Sequence, residues 1–224
     1  MQGLWVQQVR VKVCGITRLE DALLAEALGA SAVGFVLSVF GPLGQSNSVF
    51  GPLGQSNAPS RRRVSPEMAR EIGLALGPFL LRVGVFVNEP PEVVLRTMEQ
   101  ARLQVAQLHG EEPPEWALQI RKHYPVIKAF RLSGPADPSW VHYPADALLL
   151  DGKTPGSGQA WPRDWALPLA GQGVRLILAG GLTPENVQEA LALEPYGLDV
   201  SSGVEEAPGK KSEARMRAFF AALK

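Results

Sequence analysis

Residues 9–37 read VRVKVCGITRLEDALLAEALGASAVGFVL. Two short apolar runs, Val9–Val13 and Ala32–Leu37, flank a stretch from Leu19 to Leu28 with apolar residues at three- and four-residue spacing. Continuous apolar runs, as opposed to strict alternation, suit strands buried on both faces, as in a parallel sheet. The stretch between them suits an amphipathic helix. Thr17, with Glu20 three residues on, reads as a capping box at its start. Strand, helix and strand in that order make a right-handed crossover. The turn after the first strand, Cys14-Gly15-Ile16-Thr17, holds a single glycine, so the Gly-rich fingerprint of a dinucleotide-binding sheet is absent.

The same unit recurs along the chain. Val83–Val87, Val105–Leu108, Val126–Phe130, Ala147–Leu150, Val174–Leu178 and Gly197–Val200 bring the apolar runs to eight. Helical spacing covers Pro66–Leu76, Pro91–Ala101, Glu115–His123, Pro184–Leu193 and Ser212–Leu223, while Pro135–Trp140 and Pro162–Leu169 carry prolines and are expected to be short. Ser65-Pro66 and Thr183-Pro184 each place a hydroxyl at the N-cap and proline at the first helical position. Eight units in 224 residues is about 28 each, close to the ~30 of a crossover. The expected fold is α/β, a (β/α)8 TIM barrel spanning residues 1–224 as one domain; an open doubly wound sheet is the alternative. One segment falls outside the pattern. SVFGPLGQSN at 38–47 is repeated letter for letter at 48–57, too short for a solenoid unit and placed where barrel loops are short. It reads as a tandem-repeat insertion whose Gly, Pro, Ser and Asn content predicts a flexible loop.

The balance of 22 basic against 22 acidic residues gives no net charge. That argues against nucleic acid as a partner, so an anionic ligand must be held by a local site. A single cysteine excludes an internal disulfide and any Cys-x-x-Cys site, and the three scattered histidines lack metal-binding spacing, so no metal is expected. No apolar run approaches the ~18–20 residues of a membrane span, and Met1 to Gln8 lacks the pattern of a signal peptide. The chain reads as cytoplasmic, without a membrane partner, as monomer or homodimer.

In a parallel barrel, chemistry sits at the C-terminal ends of the strands and in the loops that follow. After the first strand comes Cys14, either a small buried hydrophobe or a base or nucleophile. After the sixth comes Asp151 in LLLDGKTPGSG, either a turn cap or a carboxyl in a partly dry mouth suited to general-acid work; the KTPGSG after it reads as a flexible loop able to close over a ligand. Gly180-Gly181 follows the seventh strand and Ser201-Ser202-Gly203 the eighth. Loops at these two places commonly cradle phosphate with backbone N–H groups. Arg61-Arg62-Arg63 is a solvated patch or a clamp for a carboxylate. His109 ends strand four, where a hydrogen-bonded structural role is the ordinary one, and Asp199 ends strand eight, as turn cap or ligand contact; both are carried as candidate substrate-binding residues. Lys128 is expected to point inward or to reach the mouth.

Taken together, KVCGIT, SAVGFVL, SRRRVSPE, VGVFVN, VAQLHGEE, VIKAF, LLLDGKTPGSG, LAGGLTPENV and LDVSSGVEEAPGKK resemble the phosphoribosylanthranilate isomerases of tryptophan biosynthesis. The resemblance covers nearly the whole chain apart from the N-terminal extension and the repeat. It implies an Amadori rearrangement of N-(5-phosphoribosyl)anthranilate to 1-(2-carboxyphenylamino)-1-deoxyribulose 5-phosphate, a small phosphorylated substrate. It assigns the base to Cys14, the acid to Asp151 and the anthranilate carboxylate to Arg62, with phosphate on Gly180, Gly181, Ser202 and Gly203. Proton shuttling alone reaches the iminium and enolamine, so no cofactor is implied. The repeat departs from the family pattern just upstream of Arg62, which leaves a catalytically impaired or silent phosphate-binding barrel as one alternative. Another phosphosugar aldose–ketose isomerase is the second; such enzymes use aspartates after strands one and five, where this chain has Cys14 and Lys128-Ala129-Phe130-Arg131.

Overall fold

The computed structural model describes residues 9–37, 61–152 and 160–224. The repeat at 38–57 and the loop at 153–158, both expected to be flexible, lie outside the described residues. Eight parallel strands form the centre: β1 Arg10–Cys14, β2 Ala32–Leu37, β3 Leu81–Phe86, β4 Val105–Leu108, β5 Val126–Leu132, β6 Ala147–Gly152, β7 Leu176–Leu178 and β8 Gly197–Val200. Each pairs with the next, and β1 also pairs with β8, setting Lys12 opposite Asp199. On its other side β1 lies against β2, with Cys14 opposite Gly34. The ring is therefore closed, and the expected barrel is the fold. A two-residue strand, Arg63–Val64, lies beside the end of β2.

The helices are α1 Leu19–Ala27, α2 Pro66–Leu74, α3 Pro91–Gln100, α4 Pro114–Arg121, α5 Val187–Leu191 and α6 Glu213–Ala221. The two proline-bearing segments are short 3-10 turns, Pro138–His142 and Arg163–Leu169, because proline removes a backbone donor. Ser65 caps as expected, accepting from the N–H of Met68, and Ser212, the start of the last helical span, also caps by accepting from the N–H of Arg215. Two expected caps are corrected. Thr17 does not cap α1; its hydroxyl donates to the Gly209 carbonyl. Thr183-Pro184 opens a turn, not a helix. Asn186 folds that turn by accepting from Thr183 N–H at 2.8 Å and donating to the Gly181 carbonyl at 2.7 Å, so α5 starts only at Val187.

Successive strand residues face opposite sides of a sheet. Val11, Val13, Phe35, Phe86, Leu108 and Leu150 face outward and pack with Ala22, Met98 and Phe219 of the helical shell. Each such buried side chain contributes about 1.5–3 kcal/mol. Inside the barrel, Ala32, Val83 and Val105 form one apolar group and Ala129, Ala147, Leu149, Ile177 and Ala179 another, both touching Ile127. The alternation corrects the expectation for Lys128. Ile127 and Ala129 occupy the inner face of β5, so Lys128 faces outward, where it binds Glu112 at 2.7 Å in a buried pair.

Candidate active site

With Val11 and Val13 facing out, the inward residues of β1 are Lys12 and Cys14. Both are buried. Lys12 Nζ donates to Asp199 Oδ1 at 2.9 Å. Gly34 of β2 lies alongside. A Cβ there would stand 2.9 Å from Cys14 Sγ and 3.1 Å from Lys12 Nζ, so a glycine is required for thiol and ammonium to share this space. Burial pushes the Cys14 thiol up from its ordinary value, with Lys12 pulling the other way. Burial also works to lower Lys12, but Asp199 and Cys14 outweigh it and hold the ammonium above its usual range. Barrel interiors are ordinarily filled by branched apolar residues. A buried Lys–Cys–Asp group at the centre therefore marks a functional site.

Across the mouth, Asp151 comes from the inner face of β6, and its Oδ1 accepts from the N–H of Gly152 at 2.7 Å. His109, at the end of β4, sets Nε2 3.2 Å from Asp151 Oδ2, off the line of a hydrogen bond. Gln107 Nε2 sits 2.9 Å from His109 Nδ1. Since the amide donates, we assign the ring proton to Nε2, facing Asp151. Arg131 lies opposite Asp151 in register, and its Nη2 donates to the His109 carbonyl at 3.0 Å. Among the described residues, the buried side-chain atoms without a hydrogen-bond partner are Gln107 Oε1, His109 Nε2 and Arg131 Nε. All three belong to this one cluster. Asp199 lies within electrostatic reach of both Asp151 and His109, and also of Cys14.

Arg62 approaches the same mouth from the β2 side. Its Nε and Nη2 donate to Glu205 at 2.9 and 2.6 Å. Glu205 begins a small hairpin, Glu205–Ala207 with Lys210–Lys211. Lys211 Nζ binds Glu205 Oε1 at 2.9 Å and the Cys14 carbonyl at 2.6 Å. One carboxylate thus ties Arg62 to the backbone of Cys14.

The loops after β7 and β8 pack on one another. A Cβ on Gly203 would lie 1.8 Å from the Leu182 carbonyl oxygen, so only glycine allows this approach. Gly180 abuts the Asp151 carboxylate, whose Oδ1 stands 2.7 Å from a would-be Cβ. Arg163 brackets the first loop, donating to the carbonyls of Ala179 at 3.2 Å and Gly180 at 3.0 Å. Ser202 opens a short 3-10 turn, Ser202–Val204.

The structure brings Cys14, Asp199, Asp151 and His109 around one mouth, with Gly180 beside Asp151 and Arg62 linked to Cys14. Asp199 caps no turn; its Oδ1 is taken by Lys12. Lys12, Gln107, Arg131, Glu205 and Lys211 were not singled out from the sequence. Lys12 had a signal, a charge at an inward position of a buried strand. Glu205 had none, because nothing local shows that it meets residue 62. Among the described residues no group of three His, Cys, Asp or Glu side chains is placed to hold a metal ion.

A family model described as N-(5'phosphoribosyl)anthranilate (PRA) isomerase matches residues 45–222. A relative from Rubrobacter xylanophilus, named N-(5'-phosphoribosyl)anthranilate isomerase, is 46% identical over 222 residues, covering 96% of this chain and 98% of its own. The crystal structure of phosphoribosyl anthranilate isomerase from Thermus thermophilus is similar with TM-score 0.85 and 64% identity, over 96% of this chain and 98% of that one. A phosphoribosyl anthranilate isomerase in complex with reduced 1-(o-carboxyphenylamino)-1-deoxyribulose 5-phosphate gives TM-score 0.78 and 39% identity over the same shares of each chain.

Proposed function

The chain belongs to the N-(5'-phosphoribosyl)anthranilate isomerase family, and from that premise we propose how its barrel mouth performs the reaction. The activity is that of an aldose–ketose isomerase in tryptophan biosynthesis. The aldosylamine N-(5'-phosphoribosyl)anthranilate becomes 1-(2-carboxyphenylamino)-1-deoxyribulose 5-phosphate. Two proton transfers are needed. Asp151 gives a proton to the ribose ring oxygen; the C1–O bond breaks and the nitrogen lone pair forms the iminium. Cys14, as thiolate, takes the C2 proton. The C–H electron pair becomes the C1=C2 bond and the C1=N pair returns to nitrogen, giving an enolamine that tautomerises to the ketone. Each proton-transfer group is worth ~10²–10⁴-fold.

Arg62, aligned by Glu205, meets the anthranilate carboxylate. The phosphate rests on the N–H groups of Gly180, Gly181, Ser202 and Gly203, while His109 and Asp199 form the polar floor beneath the sugar. The observation that carries this reading is the arrival of Cys14 and Asp151 on the inner ends of β1 and β6, with Asp199 in electrostatic reach of both. The reading treats residues 1–224 as one barrel domain with an insertion at 38–57, working in the cytoplasm without a cofactor. Among the described residues no helix is long and apolar enough to cross a membrane. We also favour a homodimer over a monomer. Phe79, in the loop entering β3 at the pole away from the site, is 98% exposed, and Leu81, the first residue of β3, is half-exposed nearby.

The test follows loss of the anthranilate substrate's fluorescence in the purified protein, its Cys14→Ala variant and its Asp151→Asn variant. Turnover by the parent and a ~10²–10⁴-fold fall in each variant are expected. Undiminished kcat in either variant removes that residue from the mechanism, and a parent without turnover makes the chain a silent barrel.

A further inference from the structure

We propose that Lys12, anchored by Asp199, is a positioning residue that acts through Cys14, its ammonium stabilising the thiolate that takes the C2 proton. This rests on the reading of Cys14 as the base. An ammonium buried inside a barrel is costly unless paired. Lys12 is 6% exposed and has a carboxylate at 2.9 Å, which fixes Nζ at one spot. That spot lies over Gly34, where Cε, Nζ and the Cys14 sulfur all stand about 3 Å from the missing Cβ. Lysine and cysteine are two residues apart on one strand, so the pleat turns both to the same face.

The other charged groups around the sulfur act on it less strongly than Lys12. Asp199 on β8 opposes ionisation of the thiol. Lys211 of the hairpin gives Nζ to the Cys14 carbonyl and to Glu205. Arg62, reaching in from the β2 side, holds Glu205. His109 and Asp151 act from across the mouth, through Asp199. Lys12 is therefore, with Lys211 adding a smaller share, the leading cation that offsets what burial takes from the thiolate. It keeps its own proton throughout: the sulfur goes from anion to thiol as C2 loses its proton, and Lys12 returns to Asp199 alone.

The test is an ultraviolet titration of the thiolate in the intact, ligand-free protein. Cys14 is the chain's one cysteine, so the thiolate signal has one source once the titration of Cys14→Ala, which keeps the three tyrosines, is subtracted. Lys12→Met is expected to raise the midpoint by about one pH unit or more. Asp199→Asn is expected to lower it, because the anion that opposes ionisation is gone. Loosened packing cannot move the two midpoints in opposite directions. In turnover, Lys12→Met is expected to lower kcat roughly tenfold at neutral pH with KM within about twofold, and to shift the acid limb of the pH–rate profile upward as far as the thiol midpoint. An unmoved midpoint in Lys12→Met, or a raised one in Asp199→Asn, overturns the proposal. If Lys12→Met does not fold, the double variant Lys12→Met/Asp199→Asn, which buries no lone charge, decides: its midpoint must still exceed the parent's, as Lys12 acts on the thiol more strongly than Asp199. Full activity in Cys14→Ala would instead remove the base assignment and leave the titration standing as a measure of the Lys12–Cys14 coupling.

Discussion

Replacing Glu205 with alanine tests the electrostatic joint that holds Arg62. The carboxylate accepts from Arg62 at 2.6 and 2.9 Å and from Lys211 at 2.9 Å, and its side chain is 4% exposed. Lys211 Nζ is fully buried and otherwise has only carbonyl and hydroxyl oxygens, from Cys14 and Ser201. Removing one partner of a buried pair leaves an uncompensated charge and costs about 3–5 kcal/mol. For a chain of this size each kcal/mol moves Tm by about 2–4 °C, so Glu205→Ala is expected to melt roughly 6–20 °C lower. Scanning calorimetry reads that loss, and the substrate's fluorescence reads an accompanying rise in KM as Arg62 loses its alignment. The sign with pH follows from the same contacts. Burial works to raise the Glu205 carboxyl, but Arg62 and Lys211 together hold it below its ordinary 4.5. A depressed carboxylate stabilises the fold above its unfolded value and loses that contribution as pH falls through the lower folded one. The parent should therefore lose stability below about pH 4.5 more steeply than Glu205→Gln. A Glu205→Ala protein within about 1 kcal/mol of the parent would refute the reasoning, since that is the worth of a solvated surface pair.

The remaining predictions concern the loops and the far pole. Gly203→Ala must drive the Leu182 carbonyl away by on the order of 1 Å, a displacement that costs about 10²-fold at a tightly built site; kcat/KM should fall mainly through KM, and weak competition by inorganic phosphate should be lost with it. An unchanged KM would take phosphate off these loops. Deleting Ser38–Asn57 should leave kcat/KM within about twofold if the repeat is passive, and a tenfold change in steady-state assay would show that it acts on the mouth. Phe79→Asp should convert a dimer to a monomer in sedimentation equilibrium; a parent that already sediments as a monomer ends the pairing proposal.

The barrel was legible because its signals are local. Each apolar run is short enough to read as a strand, and Ser65 and Ser212 cap within their own helices. Two errors arose where a side chain bonds elsewhere than in the expected helix cap, one far along the chain and one within a few residues. Thr17 looked like a cap for α1 but meets Gly209 across the closed ring. Thr183 looked like the start of a helix until Asn186 folded the turn beneath it. The site was legible at strand ends, where glycine, cysteine and aspartate interrupt apolar runs. It was not legible at Glu205, whose partner is 143 positions away in sequence. Lys128 was misjudged because a lysine inside an apolar run gives no phase; its neighbours Ile127 and Ala129 had already taken the barrel interior.

The layout also explains how a chain without net charge can hold a substrate with two anionic ends. The two anionic ends of the molecule meet different kinds of partner. At the phosphate end the proposed partners are backbone N–H groups on loops locked by Gly203 against Leu182 and by Asn186. At the carboxylate end the proposed partner is Arg62, and the hairpin that holds it also fixes Cys14, the proposed base. Lys211 grips the Cys14 carbonyl and Glu205 together, so guanidinium and thiol are positioned by a single element. That economy matters for the chemistry. In the proposed mechanism the C2 proton moves between atoms whose separation is set by where the anthranilate end is clamped, and a site held to within about 0.5 Å needs its supports shared, not independent. A barrel provides this because its first and last strands are neighbours: β1 carries Cys14, β8 carries Asp199, and the chain leaving β8 folds back over both.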